Sequence, residues 1–558
     1  MELTEFEQCL VDHVVEGTIL DLAPESAGDT IDENVMRSWG REHEVRAEVV
    51  RNILRGQYLP EVGPDPHGLR VRGARIVGHL DLDGVTTPIS LTLVSCHIPD
   101  GLSGIQCNIS SLDLSWTVVS MPGELGVLRL QGARINGQLV MRGTRLTNQS
   151  GPTLVADGIS VGGDTLFNDG FTAIGHGAQG TVRLTGARLG GPLIMSGAIL
   201  RNGSGPALNA DGITVGGGAA FDHGFTATGS GYNGVVRLQG AKIAGQLVMR
   251  HAKLANGRGS ALIADGMTVG GGAYLADGFT ATGHGDWGAV RLQGANIGGQ
   301  LVMRRASLTN NLGPALNADV MSVGGGAYFD DGFTAIGHGE RGAVRLVGAH
   351  IAGRLSVDTE SMDRATAGMK WAVDGLTFDG FPTIGFDKWL RLLRDGTHEY
   401  TPQPYQQLAA AARAAGHDAD ARRVLIAQRD DQVRRGDQRL PMKVWAVFTK
   451  YALGYGYQPW RALIGIAGIL LIALVISFFV PGALAHGSAN TPCTGVETFQ
   501  VAVDMVIPLV STSAGTTCRI TSTAGGQFVA WIGVFLTFAG WALTALFAAG
   551  FTRAIRKP

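Results

Sequence analysis

The chain has 558 residues, of which 45% are hydrophobic and 16% are charged, and its formal net charge is −2 at pH 7. This balance gives no reason to expect a nucleic-acid partner, because phosphate binding needs a clustered basic surface. The apolar composition indicates that part of the chain lies in a membrane, and the 83 glycines, without a collagen triplet, predict many turns.

Residues 1–67 predict a helical N-terminal cap. Leu10, Val11 and Val14 recur at helical spacing near the start, and REHEVRAEVVRNILRG, which begins at Arg41, repeats the pattern. The acidic start MELTEFEQCL lacks the basic and apolar regions of a secretory signal, so we expect the bulk of the chain in the cytoplasm.

A 54-residue repeat fills most of residues 68–386. Each unit divides into two similar halves of about 27 residues, in which short apolar patches alternate at period two between glycine turns. This pattern predicts a β-solenoid, whose turns stack on one another. The rung length favours a right-handed coil with three faces, and about ten to eleven rungs fit the segment.

Repetition also predicts ladders of equivalent side chains, which we interpret as stacking and solubility devices. The surface ladder of arginines contains Arg129, Arg183, Arg237, Arg291 and Arg345. The parallel acidic ladder contains Asp157, Asp211, Asp265 and Asp319. Equivalent histidines 54 residues apart, such as His284 and His338, lie two rungs, or roughly 10 Å, apart, which is too far to share a metal ion. His176 belongs to the same ladder. We therefore predict no metal site.

The motif GHGAQG at Gly175 matches the G-x-G-x-x-G pattern that holds a dinucleotide in Rossmann folds. It recurs at the repeat spacing as GSGYNG, GHGDWG and GHGERG, and it is followed by TVRLTGARLGG, which predicts a strand rather than a helix. No helix N-terminus is then available for a pyrophosphate. We interpret the motif as a loop between rungs, and predict neither a cofactor nor catalytic residues.

Residues 387–440 predict a cytoplasmic helical hairpin. The segment YQQLAAAARAAGHDADARRVLIAQRDDQVRRG places Gly416 and His417 at the turn and makes Asp418 a candidate N-cap.

Residues 441–558 predict a membrane domain with two transmembrane helices, at 462–480 and 528–551. Basic residues precede the first helix and follow the second, whereas the loop 481–527 holds only Arg519. The positive-inside rule then predicts a two-pass plasma-membrane protein with both termini in the cytoplasm. Small residues in these helices permit homo-oligomerisation but specify no stoichiometry.

The extracytoplasmic loop carries two candidate features. Cys493 and Cys518 lie in the one part of the chain where oxidation is favoured, which predicts a disulfide. The apolar segment 496–510 is too short to span a bilayer and contains Asp504, a candidate pore or membrane-segment residue. A channel remains an alternative, although Pro508–Ser511 stand where a T-V-G-Y-G filter would begin.

The motifs AEVVRNIL, GPALNADGITVGGG, VRLQGAKIAGQLVM and YGYQPWRAL resemble a family of actinobacterial membrane proteins that are often labelled membrane-associated oxidoreductases. The resemblance covers nearly the whole chain and supplies no catalytic residues to carry over. The ARRVLIAQ and YGYQPWR segments also resemble the tails of pentapeptide-repeat membrane proteins, some of which bear channel motifs.

Three functions follow. The first is a non-enzymatic, membrane-anchored solenoid that offers a cytoplasmic face for protein contacts or sensing, with the lipid bilayer and another protein as partners. The second is an enzyme, either the labelled oxidoreductase or a carbohydrate-active solenoid that uses acids such as Asp330 and Asp331. The third is a channel-like membrane effector that is gated by the solenoid.

Overall fold

The structure is a computed structural model that divides into two compact units, Met1–Ala415 and Gly416–Pro558. The described residues are 3–23, 30–61, 63–121, 123–339, 342–358, 360, 363–364, 369–379, 385–436, 440–456, 458, 460–487, 491–507, 510–512 and 514–555.

The first unit is a parallel β-solenoid. Within its described residues each regular turn contributes one short strand to each of four sheets. We call these sheets A, B, C and D, in the order in which the chain first enters them. Strands pair in register with those of the turns before and after, as Leu154 does with Leu128 and Val182. The predicted solenoid with rungs of about 27 residues is therefore confirmed.

The strands of sheet A are Leu20–Asp21, Leu69–Arg72, Leu91–Val94, Leu112–Asp113, Leu139–Val140, Thr165–Leu166, Leu193–Ile194, Ala219–Ala220, Leu247–Val248, Ala273–Tyr274, Leu301–Val302, Ala327–Phe329 and Leu355–Val357. Those of sheet B are Glu44–Arg46, Arg75–Val77, His97–Ile98, Val118–Ser120, Arg145–Thr147, Thr172–Gly175, Ile199–Asn202, Thr226–Gly229, Lys253–Asn256, Thr280–Gly283, Ser307–Asn310 and Thr334–Gly337. Those of sheet C are Leu80–Asp81, Leu102–Ser103, Leu128–Arg129, Leu154–Val155, Val182–Arg183, Leu208–Asn209, Val236–Arg237, Leu262–Ile263, Val290–Arg291, Leu316–Asn317, Val344–Arg345 and Trp371–Ala372. Those of sheet D are Asn108–Ile109, Arg134–Ile135, Ser160–Val161, Arg188–Leu189, Thr214–Val215, Lys242–Ile243, Thr268–Val269, Asn296–Ile297, Ser322–Val323, His350–Ile351 and Thr377–Phe378.

Two details of the predicted coil were wrong. The coil has four sheets rather than three faces, and each regular turn bends at four corners. It has about 12 turns rather than ten to eleven. One reason is that the first turns are shorter than the regular ones, since Leu69 pairs with Leu91, and Leu91 in turn pairs with Leu112. Right-handedness stays a prediction.

Regular turns alternate between a shorter and a longer form. In sheet C the pair Leu128–Leu154 spans a shorter turn and the pair Leu154–Val182 spans a longer one. The additional residues of the longer form lie at the A–B corner and at the B–C corner. At the A–B corner Asp169 and Gly170 both adopt positive φ, 51° and 88°, which accommodates the extra residue. The two halves of the repeat unit therefore differ in their corners while their strands stay in register.

The core is a set of stacked apolar columns inside the coil. The first residue of nearly every short sheet C strand points inward and is fully buried, as Leu208 and Val236 are. In most of the longer turns paired phenylalanines fill the A–B corner, where Phe167 and Phe171 stack with ring centroids 5.1 Å apart. Glycine turns serve this packing because they bend the chain without adding side chains to crowded corners.

The N-terminal segment contains three helices, α1 (Glu5–Glu16), α2 (Glu33–Ser38) and α3 (Ala47–Leu54), and a 3₁₀ turn, Arg41–His43. The predicted helical cap is present, and it also contains short strands. The helix expected from Arg41 begins only at Ala47, because Glu44–Arg46 forms a strand that pairs with Arg75–Val77 in sheet B. These added strands and helices cover the first turns of the coil, whose open edge would otherwise present unpaired backbone groups.

Two helices end the first unit, α4 (Phe386–Asp395) and α5 (Gln403–Ala414). Trp389 of α4 is buried and stacks on Phe378, with ring centroids 5.9 Å apart. The Gln407 side-chain amide of α5 donates a 2.7 Å hydrogen bond to the Phe378 carbonyl oxygen. These helices therefore cap the last turn of the coil.

The second unit is mostly helical. Its elements are α6 (Asp418–Arg435), α7 (Leu440–Leu453), a 3₁₀ turn (Gly454–Gly456), α8 (Trp460–Phe479), strand Leu484–His486, α9 (Gly495–Val506), α10 (Ala514–Thr517), strand Cys518–Ile520 and α11 (Ala524–Ile555). Asp418 is the first residue of α6 rather than its N-cap, which is His417. The helices α8 and α11 are the two long apolar helices that the sequence predicted at 462–480 and 528–551.

We expect Val320→Gly to stabilise the solenoid. Val320 has a φ of 57° at a corner where the neighbouring turns carry glycine, and its side chain is 64% exposed, so little packing is lost. A left-handed conformation costs an L-residue roughly 1–2 kcal/mol, partly offset by the greater freedom of glycine in the unfolded chain. The expected gain in unfolding free energy is about 0.5–1 kcal/mol, measured by urea unfolding followed by circular dichroism.

The matched control is Gly266→Val, one repeat unit earlier. A Cβ at Gly266 meets no atom within 4 Å, so we expect the loss to report mainly the backbone conformation (φ 63°). Equal stability of Val320→Gly and the native chain would contradict the prediction.

Candidate functional site

The glycine motif GHGAQG lies at a B–C corner. The strand Thr172–Gly175 ends in it, and the next element is the strand Val182–Arg183, not a helix. A Cβ on Gly177 would lie 2.6 Å from the Gly180 carbonyl oxygen and 3.0 Å from the Pro152 nitrogen. The glycines therefore allow adjacent turns to pack closely, and the corner offers no helix dipole for a pyrophosphate.

Three of the GxGxxG corners are each held by a buried asparagine of the next turn. Asn202 Nδ2 donates to the carbonyl oxygens of Gly177 (2.8 Å) and Pro206 (2.6 Å). Asn256 and Asn310 do the same, donating to Gly231 (2.9 Å) and Gly285 (2.7 Å). This ladder was not predicted from the sequence, although asparagines that recur every 54 residues, such as Asn202, Asn256 and Asn310, indicate it. The glycine corners thus have a structural partner inside the coil.

The acidic and basic ladders pair with each other across successive turns. The ion pairs are Asp157–Arg183, Asp211–Arg237, Asp265–Arg291 and Asp319–Arg345. The second carboxylate oxygen of each aspartate accepts a backbone N–H of the same later turn, such as that of Gln293 at 3.2 Å from Asp265. Each aspartate therefore joins two turns through both its oxygens.

Arg129 departs from this pattern. Ile105 stands where the later turns carry the aspartate, and Arg129 forms no ion pair among the described residues. Its Nε is buried and has no hydrogen-bond partner there. The first copy of the basic ladder is thus without its acid.

The last turn of sheet C contains a cleft. The outward residues of this sheet are, in order, Val155, Arg183, Asn209, Arg237, Ile263, Arg291, Asn317, Arg345 and Ala372. Ala372 is the smallest of them, and the space above it forms a cavity of about 330 Å³. Beyond it Thr397 makes a parallel bridge to Trp371, which aligns His398 with Ala372.

The cleft is lined by charged groups of both signs. Arg345 lines the cleft and is already paired with Asp319. Asp374 and Glu399 also line it, are exposed, and make no ion pair or side-chain hydrogen bond with any residue that the structure describes. The Thr397 hydroxyl donates to the Leu393 carbonyl oxygen at 2.7 Å, which fixes the segment that carries His398. Two carboxylates thus remain available to a ligand.

In the second unit Asp504 has a partner within the chain. Its carboxylate accepts the Thr512 backbone N–H at 2.7 Å and the Thr512 hydroxyl at 2.8 Å, which holds the segment after α9. Pro508 and Leu509, part of the expected filter position, lie outside the described residues. The helix α9 packs against α8 and α11 through a buried cluster that includes Ala473, Ala502 and Leu536.

Cys493 and Cys518 are joined in a disulfide, with Cα atoms 6.0 Å apart. The strand that begins at Cys518 pairs antiparallel with Leu484–His486, so the bridge fixes the loop between α8 and α11. By contrast, Cys96 and Cys107 are buried in the solenoid, and burial raises the pKa of these thiols to about 12 and about 11. They are therefore unreactive core residues.

Among the described residues no group of three or more His, Cys, Asp or Glu side chains is placed to hold a metal ion. His284 shows how the histidine ladder is used instead. Its Nδ1 lies 2.9 Å from the Asn256 carbonyl oxygen, and its Nε2 lies 2.8 Å from Asn311 Nδ2, so both ring nitrogens contact neighbouring turns.

No protein-family model, curated protein or solved structure matches the chain. Its possible activities therefore have to be argued from its own residues.

We expect Asp265→Ala to destabilise the solenoid by about 1–3 kcal/mol. The change removes the ion pair with Arg291 and leaves the Gln293 N–H without its acceptor. Chemical unfolding followed by circular dichroism measures the loss. Asp286→Ala is the control, because Asp286 is exposed at a corner tip and forms no ion pair with the described residues. Equal losses in the two variants would contradict the structural role of the ladder.

Proposed function

We propose that the protein is a non-enzymatic, membrane-anchored β-solenoid that presents a cytoplasmic surface for protein contacts or sensing. The anchor is supported by α8 and by residues Ala524–Ala549 of α11, which are long and apolar enough to cross a membrane. Their apolar side chains point away from the protein: Phe479 and Trp531 are each 79% exposed. Exposure of so large an apolar surface to water is unfavourable, and a lipid bilayer would cover it.

One observation carries the contact surface: an exposed stripe at the B–C corner, formed by Tyr232, Arg258, Trp287 and Leu312 on successive turns. Tyr232 is 77% exposed, Trp287 67% and Leu312 61%, so these side chains add little to the core. The Arg258 guanidinium lies 5.8 Å from the centre of the Tyr232 ring. Exposed Tyr, Trp and Arg in one patch are the composition of binding hot spots.

The proposed orientation places both termini in the cytoplasm and the loop with the disulfide outside, in the plasma membrane. It is supported by the basic residues that flank α8 and α11. The Cys493–Cys518 disulfide agrees with it, because disulfides persist outside the cytoplasm.

Two alternatives have less support. The oxidoreductase hypothesis depended on the glycine motif, whose corners lead into strands and pack against neighbouring turns. The channel hypothesis depended on Asp504, whose carboxylate is hydrogen-bonded to Thr512. Neither arrangement supplies a catalytic group or a free pore charge.

We expect a photo-crosslinking residue at Tyr232 or Trp287, in the full chain in its native membrane, to give a discrete adduct. The same residue at Thr214 or Thr268, exposed on sheet D, should give none, because those positions lie on another face. Gel electrophoresis with mass spectrometry reads the result. An adduct from sheet D alone, or none from the stripe, would contradict the proposed surface.

The orientation predicts which native cysteines a membrane-impermeant maleimide reaches. In intact cells treated with an impermeant reductant, Cys493 and Cys518 should be labelled, whereas the exposed Cys9 should react only after permeabilisation. Cys9→Ser is the control that identifies the second signal. Labelling of Cys9 in intact cells would reverse the orientation.

A further inference from the structure

The cleft at the last turn interrupts the pairing of aspartate with arginine. In four earlier turns an aspartate just beyond a sheet C strand accepts a guanidinium from the strand of the next turn. Asp374 occupies the same position after Trp371–Ala372. The bridge between Trp371 and Thr397 places His398 where the earlier turns carry arginine. Asp374 therefore belongs to the acidic ladder, but the turn that follows it carries no arginine at the matching position.

The space for such a group is present. In two equivalent turns an asparagine, Asn209 or Asn317, occupies the outward position, and its amide donates to a corner carbonyl, as Asn317 does to Trp287 at 3.2 Å. Ala372 carries only a methyl group there, which opens the cavity of about 330 Å³ beside Asp374. Cavities of about this size accept small ligands.

We propose that this cleft binds a guanidinium group, seated on Asp374 as the Arg345 guanidinium is seated on Asp319. The chain itself shows that the position suits this group, since it repeats the arrangement in four earlier turns. A planar guanidinium has five donors and can bind a carboxylate through two parallel hydrogen bonds, whereas an ammonium is a more strongly hydrated point charge. The source is either a free molecule such as arginine or agmatine or an arginine side chain of a peptide.

The presence of a cation refines the choice of ligand. Arg345 lines the same cleft as the two carboxylates and has only Asp319 as its ion-pair partner among the described residues. A ligand with a carboxylate at its other end, such as free arginine, fits both signs of charge. The inference deepens the proposed sensing role and gives it a ligand class, but it does not require the stripe at the B–C corner.

The test is calorimetric titration of the full chain in detergent with arginine, agmatine and an arginine-containing peptide. Citrulline is the matched ligand control, because it replaces the guanidinium by a neutral urea of nearly the same shape. We expect citrulline to bind at least tenfold more weakly than arginine. Asp374→Asn should weaken arginine binding at least tenfold, whereas Asp286→Asn, at an exposed corner tip, should leave it unchanged.

A further variant tests the geometry. His398→Arg supplies the guanidinium from the chain, and should abolish binding while raising the melting temperature of the solenoid. Binding of the peptide alone would assign the guanidinium to a protein partner, and binding of agmatine or arginine to a free ligand.

A native chain that binds none of these ligands overturns the proposal, as does binding that Asp374→Asn leaves unchanged. Circular dichroism of each variant shows whether the solenoid is folded. We expect the crosslinking from Tyr232 and Trp287 to be unchanged in Asp374→Asn and His398→Arg, so failure of the cleft and failure of the contact surface are distinguishable.

Discussion

The solenoid depends on the register between successive turns. Its strands are very short in the regular turns, so no strand is stable by itself, and its hydrogen bonds come from the turns on either side. Register is kept by side chains at the corners: aspartates that bind an arginine and an N–H of the next turn, and asparagines that hold the glycine corners. The apolar columns can stack only because these polar groups align the turns.

Much of this architecture could be predicted because it repeats. Period-two patches and glycine turns that recur in every repeat unit indicate a solenoid, and long uncharged runs indicate α8 and α11. The number of faces could not be predicted, because all four corners look like short turns in the sequence. The strand Glu44–Arg46 was missed because its charged residues and helical spacing resemble the start of α3, and only pairing with Arg75–Val77 selects the strand.

The cleft at the last turn could not be predicted from the sequence, because the repeat pattern is lost after Trp371. A residue that departs from the repeat can be recognised only where the repeat itself can still be aligned. The structure restores the alignment through the bridge to Thr397, which identifies Asp374 as a member of the acidic ladder and Ala372 as the residue that leaves a gap. The regular turns thus provide the reference against which one turn is unusual.

The alternation of shorter and longer turns limits how this protein can change its length during evolution. A duplication of one turn would place two corners of the same kind next to each other, and an asparagine would no longer face the glycine loop that it holds. Only the gain or loss of a whole repeat unit, a shorter turn together with a longer one, keeps the order of the corners. The coil would therefore lengthen or shorten in steps of roughly 10 Å, the height of two turns.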